Sequence, residues 1–188
     1  MNTFRIEFPY NKQEFIKTNN IKWEIHSRNN KKNIRGFVIF GTIILGIGII
    51  AYYDNEPNNT LLFIGFFFEL LSIIMIYSAM ISKRKYKNTI NEIAENYDKI
   101  KMDCVYEFTE LCIKYWDKEK HLEFNWEVFT SYSIYKNYLI LHLNNSIINT
   151  YIFEKKESKI DEYNKIYEFV QSKLKLNENI SEKKRKAI

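Results

Sequence analysis

Apolar and polar positions follow three rhythms along the chain. The first is a short alternation at Thr3-Phe-Arg-Ile-Glu-Phe8, which predicts a strand. The second consists of two unbroken apolar blocks. Residues 36–53 hold 18 positions without a charge, and residues 61–82 hold 22 with one. The third begins after residue 101, where apolar residues recur at every second position again.

The two blocks are long enough to decide the fold class. At 1.5 Å per residue, helices of this length reach roughly 27 and 33 Å, against a hydrocarbon core about 30 Å thick. A helix satisfies its own backbone in lipid, whereas an open strand does not. The connector at 54–60, Asp-Asn-Glu-Pro-Asn-Asn-Thr, is short and polar and predicts an antiparallel hairpin. Arg28, Lys31, Lys32 and Arg35 precede the first block; Lys83, Arg84, Lys85 and Lys87 follow the second. The connector has neither Lys nor Arg, so both chain ends are expected on the cytoplasmic side of the cell membrane. Tyr52 and Tyr53 fall at the outer aromatic belt, and Tyr77 toward the inner one. The first block starts too late and runs too long for a cleaved signal peptide, so the hairpin is expected in the mature protein.

Around the hairpin the pattern predicts a strand and a helix (11–28) within a cytoplasmic segment 1–35, and a helical stalk within 83–100. Strands follow at 102–108, 111–116, 121–126, 129–135, 138–143 and 146–153. Thr109-Glu110, Lys136-Asn137 and Asn144-Asn145 supply turns. At 121–126, Leu122, Phe124 and Trp126 share one face, and His121, Glu123 and Asn125 the other. Closely spaced short strands predict an antiparallel sandwich or barrel over 101–176. A helix from Ser158 closes it. Ser158 and Asp161 form a capping box, and Ile160, Tyr163, Tyr167, Val170 and Leu174 form the apolar face. The tail 177–188 is charged, and its Lys183-Lys-Arg-Lys186 run is of the kind that touches anionic lipid.

Val105-Tyr-Glu-Phe-Thr-Glu-Leu-Cys-Ile113, Phe124-Asn-Trp-Glu-Val128 and Lys136-Asn-Tyr-Leu-Ile-Leu-His-Leu143 resemble the YcxB-like family of bacterial membrane proteins. In that family a Trp opens the step into the middle strands, where Trp126 stands here. Where the family often carries Ile-Pro-Lys, this chain has Tyr151-Ile-Phe-Glu-Lys155. The resemblance implies an N-terminal strand and polar segment, two transmembrane helices, and a cytoplasmic domain similar to pleckstrin-homology domains. It implies no established catalysis.

Composition refines this picture. The 188 residues carry a net charge of +5 and are 46% hydrophobic, average values that hide the segregation. Only Asp54, Glu56 and Glu69 are charged between 36 and 82. The basic excess clusters beside the blocks, which membrane topology explains, so nucleic acid is not an expected partner. Glu69 is the one ionisable group within the blocks. A charged carboxylate at that depth costs several kcal/mol, so a hydrogen-bonded carboxyl is expected. Helix counting sets it opposite Leu45, Gly46 and Gly48, with Thr42 one turn deeper and Ser72 one turn along its own helix. Glu69 with Thr42 and Ser72 then forms a polar lock for the hairpin or a homodimer. Gly41, Gly46 and Gly48 serve close packing.

Cys104 and Cys112 are read as ordinary strand residues facing each other across the first hairpin. His26, His121 and His142 are scattered and match no ligand or nucleophile motif. No phosphate loop is present, and neither metal nor cofactor is expected. The reading is therefore a binding or regulatory module at the cytoplasmic face of the bilayer, acting on a protein partner, on itself or on lipid. Its alternatives are a small oligomeric transport or proton-handling subunit centred on Glu69, and a toxin-immunity protein.

Overall fold

Two kinds of apolar sequence lead to two kinds of structure. The computed structural model describes residues 3–53, 59–143, 146–156 and 159–178. The chain runs through β1 (Phe4–Phe8), α1 (Lys12–Tyr53), α2 (Thr60–Ile100), β2 (Cys104–Phe108), β3 (Cys112–Trp116), β4 (His121–Asn125), a 3-10 turn (Trp126–Val128), β5 (Phe129–Tyr135), β6 (Tyr138–Leu143), β7 (Ser146–Glu154) and α3 (Ile160–Lys173). It is an α+β architecture with two long, partly apolar helices and two antiparallel sheets. Contacts divide it into two units. One gathers β1, α1 as far as Ile25, and the chain from Ile90 onward; the other is His26–Thr89.

In the second unit, small residues set the contact between α1 and α2. A Cβ added to Gly65 would stand 2.6 Å from Leu45 Cα, one at Gly48 2.7 Å from Leu62 N, and one at Gly41 3.1 Å from Phe68 Cβ. Positions 41, 45 and 48 are four and three residues apart, so they line one face of α1. Gly46 lies about 100° away from that face and has nothing within 4 Å. The expected packing set of Gly41, Gly46 and Gly48 is thus corrected to Gly41, Gly48 and Gly65. Both helices are long and apolar enough to cross a membrane, and only 11% of each apolar window is buried. A core helix of a water-soluble protein would be mostly covered. Here Ile39, Phe63, Phe66, Ile73 and Met80 are bare.

The helix expected at 11–28 and the first apolar block are one continuous helix, α1, and the stalk continues the second block as α2. Nothing between residues 28 and 36 breaks the helix, because neither proline nor glycine intervenes. Helix α2 ends in a Schellman turn: Met102 N donates to Tyr97 O and Lys101 N to Asp98 O, with Lys101 at φ 50°.

In the first unit, sheet order is β1-β2-β3-β4 and β5-β6-β7. The N-terminal strand does not stand apart. It pairs antiparallel with β2, Phe4 opposite Phe108 and Phe8 opposite Cys104. Phe4 stacks on Phe108 at 4.9 Å and meets Phe169 of α3 edge-on at 5.5 Å. The two sheets and α3 enclose Phe108, Ile113, Trp126, Leu139, Leu141, Phe153, Ile166 and Val170. Sandwich or barrel resolves into two separate sheets. Pairing ends at Asn125, the 3-10 turn carries the chain from β4 to β5, and no barrel closes among the described residues.

The outer face of the second sheet is covered by the start of α1. Ile21 and Ile25 pack on Tyr138 and Ile140. Polar ties surround that contact: Lys17 to Glu154 at 2.5 Å, Glu24 to Lys136 at 2.9 Å, and Glu14 to Lys156. The phenol of Tyr135 donates to Glu24 Oε1 at 2.7 Å. Tyr10 ties the N-terminal segment to α2 and its exit, donating its phenol to Ala94 O at 2.8 Å and its N–H to Asp103 Oδ1 at 2.7 Å. Helix α3 begins at Ile160 after Lys159; Ser158 of the expected capping box lies outside the described residues. So do the Asn144-Asn145 turn, most of the connector, and most of the charged tail.

The glycine contacts generate a discriminating test. Gly65→Ala drives a methyl into the α1 backbone and should lower hairpin stability by about 1–3 kcal/mol, measured by unfolding in detergent. Gly46→Ala meets open space and should leave stability unchanged or slightly raised. Equal losses at both positions would contradict the helix contact.

Candidate functional site

Glu69 and Thr42 meet as a pair. Thr42 Oγ1 lies 2.8 Å from Glu69 Oε1 and 2.9 Å from Val38 O. Gly41 makes room for the carboxyl, since a Cβ there would stand 3.2 Å from Oε1. Glu69 therefore faces Gly41 and Thr42 rather than Leu45, Gly46 and Gly48. Helix counting from block ends misplaced it by more than one turn, because the contact between the helices is set by glycine positions and not by where the apolar runs begin. Ser72 is buried and donates to Phe68 O at 2.9 Å within its own helix. It contributes a small, self-satisfied surface to the contact and is not joined to the Glu69–Thr42 pair by a hydrogen bond.

Trp126 sits at the corner between the sheets. It is buried, packs between Phe129 and Phe169, and donates Nε1–H to Thr109 O at 2.9 Å. The expected alternation holds for Phe124, which faces the core, but Trp126 opens the 3-10 turn instead of continuing β4. Its role is to lock the corner to the β2–β3 loop.

A buried pair escaped the reading of the sequence. Ser133 of β5 and His142 of β6 stand 2.7 Å apart through Oγ and Nε2, on the face that α1 covers. Ser133 is 0% exposed and His142 6%, so the hydroxyl is closed to any substrate despite its serine–histidine contact. Burial pushes the His142 imidazole below its ordinary value. No linear motif marks the pair, because the sheet register brings together residues nine apart.

Cys104 and Cys112 do not face each other. Cys112 stands opposite Asn125, whereas Cys104 stands opposite Phe8 at the other end of the hairpin. Cys104 shares the face of Phe108, four residues on, whereas Cys112 is one residue from Ile113, the partner of Phe108, so the two cysteines occupy opposite faces of the sheet. Burial pushes the Cys104 thiol up to about 12, with Asp117 and Asp103 adding to the shift. It is not a nucleophile at neutral pH.

The outward face of the first sheet carries an ordered charge ladder. Arg5, Glu107, Lys114 and Glu123 stand in register across β1 to β4, with alternating sign. The next row runs Glu7, Val105, Trp116, His121. The Arg5 guanidinium lies 5.6 Å over the Trp116 ring, which meets His121 edge-on at 5.5 Å. Beside these rows Asp117 caps the β3–β4 turn, accepting from the N–H groups of Glu119 and Lys120 at 2.8 Å each. An open groove of about 670 Å³ lies among Glu107, Lys114, Trp116, Asp117, Glu119, Lys120 and His121. It presents both charge signs and one aromatic edge, a surface suited to a polar partner rather than to an enclosed small molecule. Among the described residues no three His, Cys, Asp or Glu side chains converge in a metal-binding group. No family model matches the chain, and comparisons with curated proteins and with solved structures return no match.

Thr42→Val keeps shape and removes the hydroxyl, and should lower hairpin stability by about 1 kcal/mol; an unchanged unfolding midpoint in detergent would refute the lock. His142 stays neutral in the fold, and its folded value lies below the unfolded one. The stability it contributes is therefore complete above about pH 6.5 and is lost as pH falls from there through the folded value. Thermal midpoints of the intact protein between pH 7 and 5 should fall more steeply than those of His142→Gln. Parallel curves would show that the imidazole carries no such linkage.

Proposed function

We propose that the protein is a two-span membrane protein that holds a β module similar to pleckstrin-homology domains at the cytoplasmic surface, where it works as a binding or regulatory module. The observation that carries this reading is the contrast between the units. The β unit has a closed apolar core, whereas most of the large apolar side chains of the hairpin's two apolar windows are exposed and only 11% of each window is buried. Lipid is the solvent that accepts such a surface. The basic flanks at 28–35 and 83–87 support cytoplasmic ends. The four-plus-three strand arrangement with a C-terminal helix is compatible with a helix-plus-sheet module of this kind.

Anchoring makes weak contacts effective by raising local concentration, to the mM range for short tethers. The outward face of the first sheet, with its charge ladder and Trp116, is the surface on which a protein partner would act. The reading assigns no catalysis, since the serine–histidine pair is sealed. Tying the Glu69 carboxyl to Thr42 across the hairpin favours a packing role over a proton path, which needs several polar groups from several helices.

Membrane topology provides the test. The protein should resist alkaline carbonate extraction from membranes. A reporter inserted at Asn58 should act outside the cytoplasm, and one fused after Ile188 inside. Release into the soluble fraction, or the reversed reporter pattern, would remove the cytoplasmic module.

A further inference from the structure

The hairpin unit concentrates cations in stretches without acidic residues. The chain has no Asp or Glu at 25–53 or at 70–91. Within those stretches stand Arg28, Lys31, Lys32 and Arg35 on α1, and Lys83, Arg84, Lys85 and Lys87 on α2. All eight are exposed. The ion pairs of the described residues draw their cations from elsewhere: Arg5, Lys12, Lys17, Lys101, Lys136, Lys156, Lys159 and Lys173. Arg28, Lys32 and Arg35 follow at four- and three-residue steps and form one stripe, where like charges repel. Such a stripe is relieved by an anion.

The helix register says which kind of anion. Gly41 meets Phe68 and Glu69, Leu45 meets Gly65, and Gly48 meets Leu62, so α2 rises one residue for each residue that α1 descends. Extending this ladder down the antiparallel pair sets Arg35 level with Met75 and Arg28 level with Ser82. The α1 cations thus stand at the same height as the α2 turns that carry Ile76, Tyr77, Met80 and Ile81, all exposed and apolar or aromatic. The cations of α2 begin only below that level. A water-soluble anion would satisfy the charges and leave the apolar turns bare. An amphiphile satisfies both.

We propose that this end of the hairpin is a binding site for anionic phospholipid. The headgroup phosphate is held by Arg28, Lys32 and Arg35, and the acyl chains lie along the bare turns of α2 around Tyr77 and Met80. The proposal rests on reading the hairpin as membrane-spanning, and adds to it a preference among lipids. Positive flanks that only orient the chain need no such preference.

The test uses the full-length protein purified in a neutral detergent, after carbonate extraction has established separately that it is membrane-integral. Native mass spectrometry counts bound lipid during titration with phosphatidylglycerol, phosphatidylcholine or glycerol 3-phosphate. Phosphatidylglycerol should bind at least about tenfold more tightly than phosphatidylcholine at low salt, and the preference should shrink as salt screens it. Arg28→Gln/Lys32→Gln/Arg35→Gln should abolish the preference, whereas Arg28→Lys/Arg35→Lys should keep most of it. Neutralising Lys183, Lys184, Arg185 and Lys186 together should leave it unchanged. Equal binding of the two phospholipids, or a preference that survives the triple Gln variant, would overturn the proposal. Glycerol 3-phosphate competing as well as phosphatidylglycerol would make this a site for free phosphate esters and would overturn the lipid assignment, while leaving the membrane reading intact.

Discussion

Apolar surface must be taken out of water, and this chain does so in two different ways. In the β unit the surfaces of two sheets and α3 cover one another, leaving Phe108, Ile113, Leu139 and Val170 fully enclosed. In the hairpin unit two helices cover only a narrow seam of each other. A helix pair in contact along one face leaves the rest of both cylinders uncovered, whatever its sequence. The side chains on those uncovered faces are Ile, Phe, Leu and Met, and both helices are long and apolar enough to cross a membrane. The proposed placement in a membrane, and the proposed use of the β unit as an anchored module, both depend on that one deficit.

The glycine seam explains how two helices with so little protein around them hold a fixed register. Close backbone approach and a few polar contacts tie the two helices together, the kind of contact that also holds helix pairs in lipid. Gly65 against Leu45 and Gly48 against Leu62 provide the first, and Glu69 with Thr42 the second. The carboxyl sits beside Gly41, where a larger residue would crowd it. Seam and polar pair are one feature, and it sets which residues of the two helices share a level.

The β unit is assembled from both sides of the hairpin. Strand β1 precedes the helices and pairs with β2, which follows them. The first sheet therefore takes its edge strand, and the core takes Phe4, Ile6 and Phe8, from the segment ahead of the helices. An antiparallel helix pair returns the chain to its starting level, which makes so distant a pairing feasible despite its separation along the sequence. The first turns of α1 then cover the second sheet, with Ile21 and Ile25 over Tyr138 and Ile140. The Ser133–His142 pair is buried on that same face. It satisfies its own polar groups there, as a buried hydroxyl and imidazole must.

Much of this was legible in the residue pattern because it depends on local period and length. Two apolar runs of membrane length, the alternation at Leu122 and Phe124, the Lys136-Asn137 turn and most of the apolar face of α3, though not its buried Ile166, are all properties of a few consecutive turns or strand residues. Contacts between distant segments were not legible in that way. The pairing of β1 with β2, the continuity of α1 through 28–36, the placing of Glu69 against Thr42 rather than Gly46, the opposite faces taken by Cys104 and Cys112, and the meeting of Ser133 with His142 each depend on a register. A shift of one residue in a strand moves a side chain to the other face, and a shift of one in a helix turns it by about 100°. Periodicity constrains which face of an element is apolar, whereas close packing at Gly48, Gly65 and Phe108 chooses the neighbour that face meets.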